Sequence, residues 1–324
     1  MELGTETRKD ELEVLAMLNK KPGRQQRICW FAALVAALIL GSLSVAAQDQ
    51  DETTRRLWDT AFIKPGKQVK PKRAGARRYR VTTPAIPVTG VVGDSVVGVT
   101  VWRLRRPIAS DSGERLLVQE GSEEEAWIPE RISGNTRLTP GDRVRVSVEA
   151  ARTGFLYVID REQYADGSFG EPHLIFPTTR TLNGDNKVDR GKLIEIPAQD
   201  DGPPYFTLQR SRPDQVAEVL SMLITPEPLT NIEITDKSQK LSTAQVAAWE
   251  KQWSIQVGSV ELEGGAGQTW TKEEKEAGAN RNSVLRAHAP APQLVYYRDG
   301  VRAAEPMLLN LQLRYRAPAK KANR

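Results

Sequence analysis

The sequence predicts a mainly β fold, an antiparallel sandwich-like domain with one or two helices appended in its C-terminal part. Three observations carry this. Between Thr139 and Phe176, three strand patterns follow one another with turn chemistry between them. From Leu308 to Tyr315 the chain alternates apolar and polar residues at the period of a half-buried strand. Val246, Trp249 and Trp253 recur at i, i+3 and i+7 after Ser242, which places them on one face of a helix opened by a serine cap.

The chain has 324 residues, 39% hydrophobic and 27% charged, enough for one sizeable or two modest domains with part of the chain outside any core. Forty-six basic residues face 41 acidic ones, so the net charge of +5 is slight and local clustering matters more. A single cysteine, Cys29, excludes an intramolecular disulfide.

Residues 29–47 are uncharged and apolar, follow Lys20, Lys21, Arg24 and Arg27, and end in the small residues Val45 and Ala47. That order describes a secretory signal, with a single membrane-spanning anchor as the alternative. Residues 1–28 are then a long n-region or a cytosolic extension, and Met17 offers a second start. Either way the bulk of the chain is expected outside the cytoplasm, periplasmic or at the cell surface. Residues 48–97 read as a basic linker. Lys64, Lys67, Lys70, Lys72, Arg73, Arg77, Arg78 and Arg80 occur with no acidic residue between them and are interleaved with proline and glycine. The segment suits a solvated spacer, or attraction to an anionic surface. Between Lys64 and Arg80 only Tyr79 could stack on a base, which argues against nucleic acid.

Gly98 to Leu104 reads as the first strand of the domain. Glu120, Glu123, Glu124 and Glu125 read as a solvated loop, and Trp127-Ile128-Pro129 as the domain's edge. Thr139-Pro140-Gly141-Asp142 is a turn, with proline pre-setting φ and glycine taking the positive φ of a type II turn. Val144, Val146 and Val148 alternate with polar residues, whereas Phe155 to Ile159 is apolar on both faces, as in a central strand. Asp166-Gly167 turns the chain into His173 to Phe176. Asn183 to Asp189 has oxygen side chains at alternate positions, but Lys187 and the missing closing glutamate favour a turn over a calcium loop. Asp200 to Pro204 is a further loop before Tyr205 to Leu208. Thr271-Lys272-Glu273-Glu274 carries a capping box. Gln293 to Arg298 and Leu308 to Tyr315 are two more strands, the second rejoining the sheet, and the basic end from Ala317 is frayed.

Several ordered pieces resemble one bacterial family. Gly141-Asp142 before a valine strand, Gly154-Phe155-Leu156-Tyr157-Val158, Asp166-Gly167 and Leu174-Ile175-Phe176-Pro177 are similar to the family called domain of unknown function 4384 (DUF4384). Leu193-Ile194-Glu195-Ile196-Pro197 and Val219 to Leu229 fit its later pieces, while Arg212-Pro213-Asp214-Gln215 departs from its Pro-Gly-x-Glu-like segment. The resemblance covers residues 98–230 and implies no known activity. It leaves residues 231–324 as a helix and terminal strands packed on the same domain.

The inventory for catalysis is thin. Two histidines, His173 and His288, cannot build a typical zinc site without cysteine. His173 opens a strand, and His288 lies in a proline-flanked linker. Asp160, Glu162 and Asp166 near one strand end are the only carboxylates that suggest hydrolysis. The sequence therefore points to a non-catalytic, extracytoplasmic envelope interaction module with a protein partner, no metal and no cofactor. Its candidate contacts are the aromatics Trp102, Trp127, Tyr164, Trp249 and Trp253. A glycan-binding domain using exposed Trp102, Trp127 or Tyr164 as stacking platforms is one alternative, and a hydrolase using Asp160 or Glu162 is another.

Overall fold

The computed structural model describes residues 79–81, 96–120, 122–254, 257–280, 285, 290–298 and 305–317. Fifteen strands are formed: β1 (Tyr79–Val81), β2 (Val96–Arg105), β3 (Leu116–Glu120), β4 (Glu123–Arg131), β5 (Arg143–Ala150), β6 (Gly154–Tyr164), β7 (His173–Phe176), β8 (Lys187–Val188), β9 (Leu193–Ile196), β10 (Phe206–Thr207), β11 (Gln215–Thr225), β12 (Gln239–Lys240), β13 (Val257–Leu262), β14 (Leu294–Arg298) and β15 (Met307–Arg314). Among the described residues two α-helices, α1 (Thr243–Trp253) and α2 (Lys272–Ala279), lie in the C-terminal part.

The strands form two antiparallel sheets. In the first, β2 is the spine. One of its edges pairs with β5 along its length, from Val97 opposite Ala150 to Leu104 opposite Arg143. Its other edge is shared, β14 taking Val96–Val99 and β4 taking Trp102–Arg105. β13 and β1 extend the sheet beyond β14, and β9 and β10 extend it beyond β5. The second sheet runs β12-β7-β6-β11-β15.

Alternation decides which residues meet between the sheets. Val97, Val99 and Val101 of β2 and Val144, Val146 and Val148 of β5 face Leu156 and Val158 of β6, Leu220, Met222 and Ile224 of β11, and Leu309, Leu311 and Leu313 of β15. Fully burying each such side chain contributes about 1.5–3 kcal/mol, so the interior dominates stability. The run Phe155 to Ile159 is apolar on both faces because β6 is covered twice. Its other face packs Tyr157 and Ile159 beneath Val246 and the partly buried Trp249 and Trp253 of α1.

Local chemistry places the turns as expected. Asp142 N–H donates to Thr139 O at 3.0 Å, and Gly141 has φ 96°. Gly167 N–H donates to Tyr164 O at 3.0 Å. Ser242 accepts from Gln245 N–H to cap α1, and Thr271 and Glu274 close a capping box on α2.

Four expectations change. β5 and β6 follow each other in sequence but lie in opposite sheets, because the chain crosses over at Ala151–Thr153. Arg152 holds that corner, donating from Nη2 to Ile224 O at 3.0 Å and from Nη1 to Glu305 O at 2.6 Å. The four glutamates are not a loop: Glu120 pairs with Glu123 at the end of a β3–β4 hairpin. Trp127-Ile128-Pro129 belongs to β4, flanked by β2 and β3. Finally, the linker expected to reach residue 97 contributes β1, where Arg80 lies opposite Glu261. The C-terminal third is integral, since β14 pairs with β2 and β15 with β11. Among the described residues no helix is long and apolar enough to cross a membrane. Residues 29–47, Lys64 to Arg78 and His288 lie outside them.

Candidate functional site

Two concave places and one buried polar layer could carry function. The first place is the free side of β15. This strand is the last of the second sheet, and its inner residues are apolar while Asn310 is exposed. Among the described residues its outer edge has backbone partners only at its end, where Leu138 N–H donates to Arg314 O at 2.8 Å and Arg316 N–H to Leu138 O at 2.7 Å. A groove of about 320 Å³ runs along that edge, lined by residues 308–312, by Val257, Ser259 and Glu261 of β13, and by Leu294 and Tyr296 of β14. Glu261 is 4% exposed. Its Oε1 accepts from Gly134 N–H at 3.1 Å and Gln293 Nε2 at 3.0 Å, and its Oε2 lies 3.9 Å from Arg80.

The second place is a cavity of about 230 Å³ between the sheets, bordered by β10. At this end the inward residues of β6 and β11 change from apolar to acidic: Asp160 and Glu162 on β6, Glu218 on β11, with Leu220 opposite Asp160 and Glu218 opposite Glu162. Burial pushes the Asp160 carboxyl up to about 7, aided by the negative charges of Glu218 and Glu162. Burial also raises Glu218, against its hydrogen bonds from Gln215 and Tyr315. The Tyr315 hydroxyl is raised by burial first and then by Glu218.

The polar layer lies on the outer face of the first sheet, beneath α2. Arg145 is fully buried and donates to Glu195 Oε2 at 2.8 Å and Pro197 O at 3.1 Å. Arg131 pairs with Glu274 of α2. The two guanidiniums flank two indoles, Arg145 lying 5.1 Å from the Trp270 ring, Trp270 6.3 Å from Trp102, and Arg131 5.1 Å from Trp102. Burial raises the Glu195 carboxyl while Arg145 opposes the rise. Gly278 is what lets α2 sit so close, because a Cβ there would come 2.6 Å from Glu195 Oε1. This layer is a covered structural seam rather than an open site.

These positions correct the aromatic platforms. Trp102 is 1% exposed, and its Nε1 donates to Ser147 Oγ at 2.7 Å. Trp127 is buried between the guanidiniums of Arg106 and Arg143, 4.2 and 4.3 Å from its ring. Tyr164 is buried with Arg212 4.0 Å over its ring. None of the three offers an open face, because each ring is already occupied. Trp249 and Trp253 stack on each other at 5.9 Å and 18° and pack on the second sheet. Among the described residues the exposed large apolar side chains are Ile108, Leu117, Phe169, Val216 and Ile234, none of which the pattern singled out.

Of the carboxylates considered for hydrolysis, Asp160 and Glu162 share the acidic end of the sandwich. Asp166 sits apart in its turn, accepting from Ser168 N–H at 2.9 Å. Sequence reasoning missed Glu218, although its place on the same face as Leu220, Met222 and Ile224 follows from alternation. His173 is partly buried opposite Asp160 in register. Asn186, read as part of a turn, is 6% exposed, and its Nδ2 donates to Leu156 O at 3.0 Å. Comparison with family models, with curated proteins and with solved structures finds no match.

Proposed function

We propose that the chain is an exported, non-catalytic envelope interaction module that binds an extended segment of a protein partner along β15. The observation that carries this reading is the backbone edge of β15, open among the described residues, beside a groove walled by β13 and β14. An added strand gains ladder hydrogen bonds from such an edge and specificity from side-chain pockets beside it. Mixed polar and apolar walls, including Asn310, Gln312, Ser259 and Tyr296, suit a peptide better than a lipid chain. The apolar run 29–47 after a basic flank supports export.

The experiment is site-specific photo-crosslinking in the native envelope. A photoreactive side chain at Gln312 is expected to capture a discrete protein neighbour, while one at exposed Ser110, in the loop between β2 and β3, captures none. Equal capture from both positions, or from neither, overturns the reading. Fractionation that leaves the full chain in the cytosol overturns its export.

A further inference from the structure

We propose that the Tyr315 hydroxyl is a proton-operated latch on the strap around β10. It holds Gln209 while Glu218 is protonated, and turns to Glu218 once that carboxyl has released its proton to water. Tyr315 Oη lies 2.9 Å from Gln209 O and 3.0 Å from Glu218 Oε1. A phenol has a single O–H to donate, so these two acceptors compete for one hydrogen. Protonation of Glu218 resolves the competition. Its Oε2 is sealed from water and has no partner among the described residues, so a proton finds an acceptor only on Oε1, facing Tyr315 Oη. The carboxyl O–H then donates to Tyr315, and the tyrosine hydrogen goes to Gln209 O. An ionised Glu218 has no hydrogen to give, and a charged acceptor holds a donor roughly twice as strongly as a neutral carbonyl. Gln209 O then loses its partner.

Glu218 is fixed in this position, because the buried Gln215 donates from Nε2 to the same Oε1 at 2.7 Å. Around it stand Glu162 opposite on β6, Asp160 next on the same face, and His173 of β7 opposite Asp160. From the strap, Arg210 lies 5.0 Å from the Tyr315 ring. Other arginines are engaged elsewhere: Arg143 of β5 with Glu120, Arg161 with Glu250, and Arg212 with Asp214. Burial, opposed by the hydrogen bonds from Gln215 and Tyr315 and aided by the charge of Glu162, pushes the Glu218 carboxyl above the usual glutamate range. The latch is therefore closed at low pH and opens as pH rises. What it holds is short. β10 is two residues, Phe206 opposite Val144 and Thr207 opposite Arg143, followed by Leu208 N–H donating to Asp142 O at 2.9 Å. β6 and β11 are eleven residues each, so the strap gives way before they do. Its release uncovers the cavity of about 230 Å³ and the apolar wall of Leu208, Leu220 and Leu313.

The test is hydrogen exchange by mass spectrometry on the purified full chain and on Tyr315→Phe, at pH 5.5 and 8.5. Each rate is divided by that of an unstructured peptide at the same pH. At pH 5.5 the variant's strap, residues 206–210, is expected to exchange about fivefold faster than the parent's, as the loss of one hydrogen bond of about 1 kcal/mol requires. At pH 8.5 the two straps agree. In a Glu218→Gln background, where residue 218 cannot ionise, the effect of Tyr315→Phe is the same at both pH values. An effect of Tyr315→Phe that is absent at pH 5.5, equal at the two pH values in the native background, or still pH-dependent with Glu218→Gln overturns the proposal. Should Tyr315→Phe not melt cooperatively, Asp160→Asn decides: its strap must exchange about fivefold faster at pH 8.5 than at pH 5.5, and a flat profile overturns the latch. No result from crosslinking at Gln312 bears on this outcome.

Discussion

Asp160 is the residue whose chemistry differs most from its behaviour in water, and Asp160→Asn tests why. In the unfolded chain its carboxyl ionises near 3.9, whereas in the sandwich it ionises at about 7. The raised value means that the protonated form is the one the fold accommodates. Stability is therefore unaffected below about pH 4, falls as pH rises from there towards 7, and stays low above it. The gap between the two values corresponds to about 4 kcal/mol at pH 8. Asparagine keeps the shape and cannot ionise, so the variant should exceed the parent by only about 1 kcal/mol at pH 4.5 and by up to about 4 kcal/mol at pH 8. Glu162 from β6, Glu218 from β11, His173 from β7 and Tyr315 after β15 surround the group, so a parallel Glu218→Gln series reports how much of the shift is repulsion. Urea denaturation at half-unit pH steps measures both. A stability difference between parent and Asp160→Asn that stays flat from pH 4.5 to 8 would refute the argument from burial.

Gly278→Ala opposes two effects of known sign. Helix propensity favours alanine by about 1 kcal/mol, but the new Cβ would meet the Glu195 carboxyl, and overpacking costs about 1–3 kcal/mol. The variant should lower the urea midpoint, and a higher midpoint would show that α2 can shift away. Glu195→Gln strands the buried Arg145 charge and should cost about 3–5 kcal/mol, while the double variant Arg145→Met with Glu195→Leu costs less than that single change. A double variant less stable than the single one would show that the pair itself holds the seam together. Ser242→Ala removes the cap of α1 and should cost about 1 kcal/mol by urea denaturation, with an unchanged midpoint counting against the cap.

The strands that were legible are those whose burial is one-sided or complete. β5 shows its valines at every second position, β6 and β11 carry runs that are apolar on both faces, Phe155 to Ile159 and Met222 to Ile224, because helix and sheet cover them, and β15 alternates. β13 was not legible, since Gly258 and Ser259 interrupt its apolar pattern and its pairing with β14 and β1 supplies the order. Pairing itself is not written locally. The three residues between β5 and β6 suit a hairpin, yet the chain changes sheets there because Arg152 finds its acceptors on Ile224 and Glu305, far along the sequence. The aromatics misled for the same reason. An indole reads alike whether it waits for a ligand or is already clasped, and the guanidiniums that clasp Trp127 come from β5 and from just beyond β2.

The placing of β14 and β15 has a consequence for how the protein is made. Val97 finds its neighbour at Tyr296, and Leu220 finds its neighbour at Leu311, so both sheets wait for strands made long after their partners. A nascent chain emerging from the ribosome cannot complete either sheet until residues 294–314 have emerged, and contacts this distant in sequence form in milliseconds to seconds rather than microseconds. Truncation ahead of Met307 would strip one flank from β11 and bare a sticky strand, turning a late stop codon into an aggregation hazard.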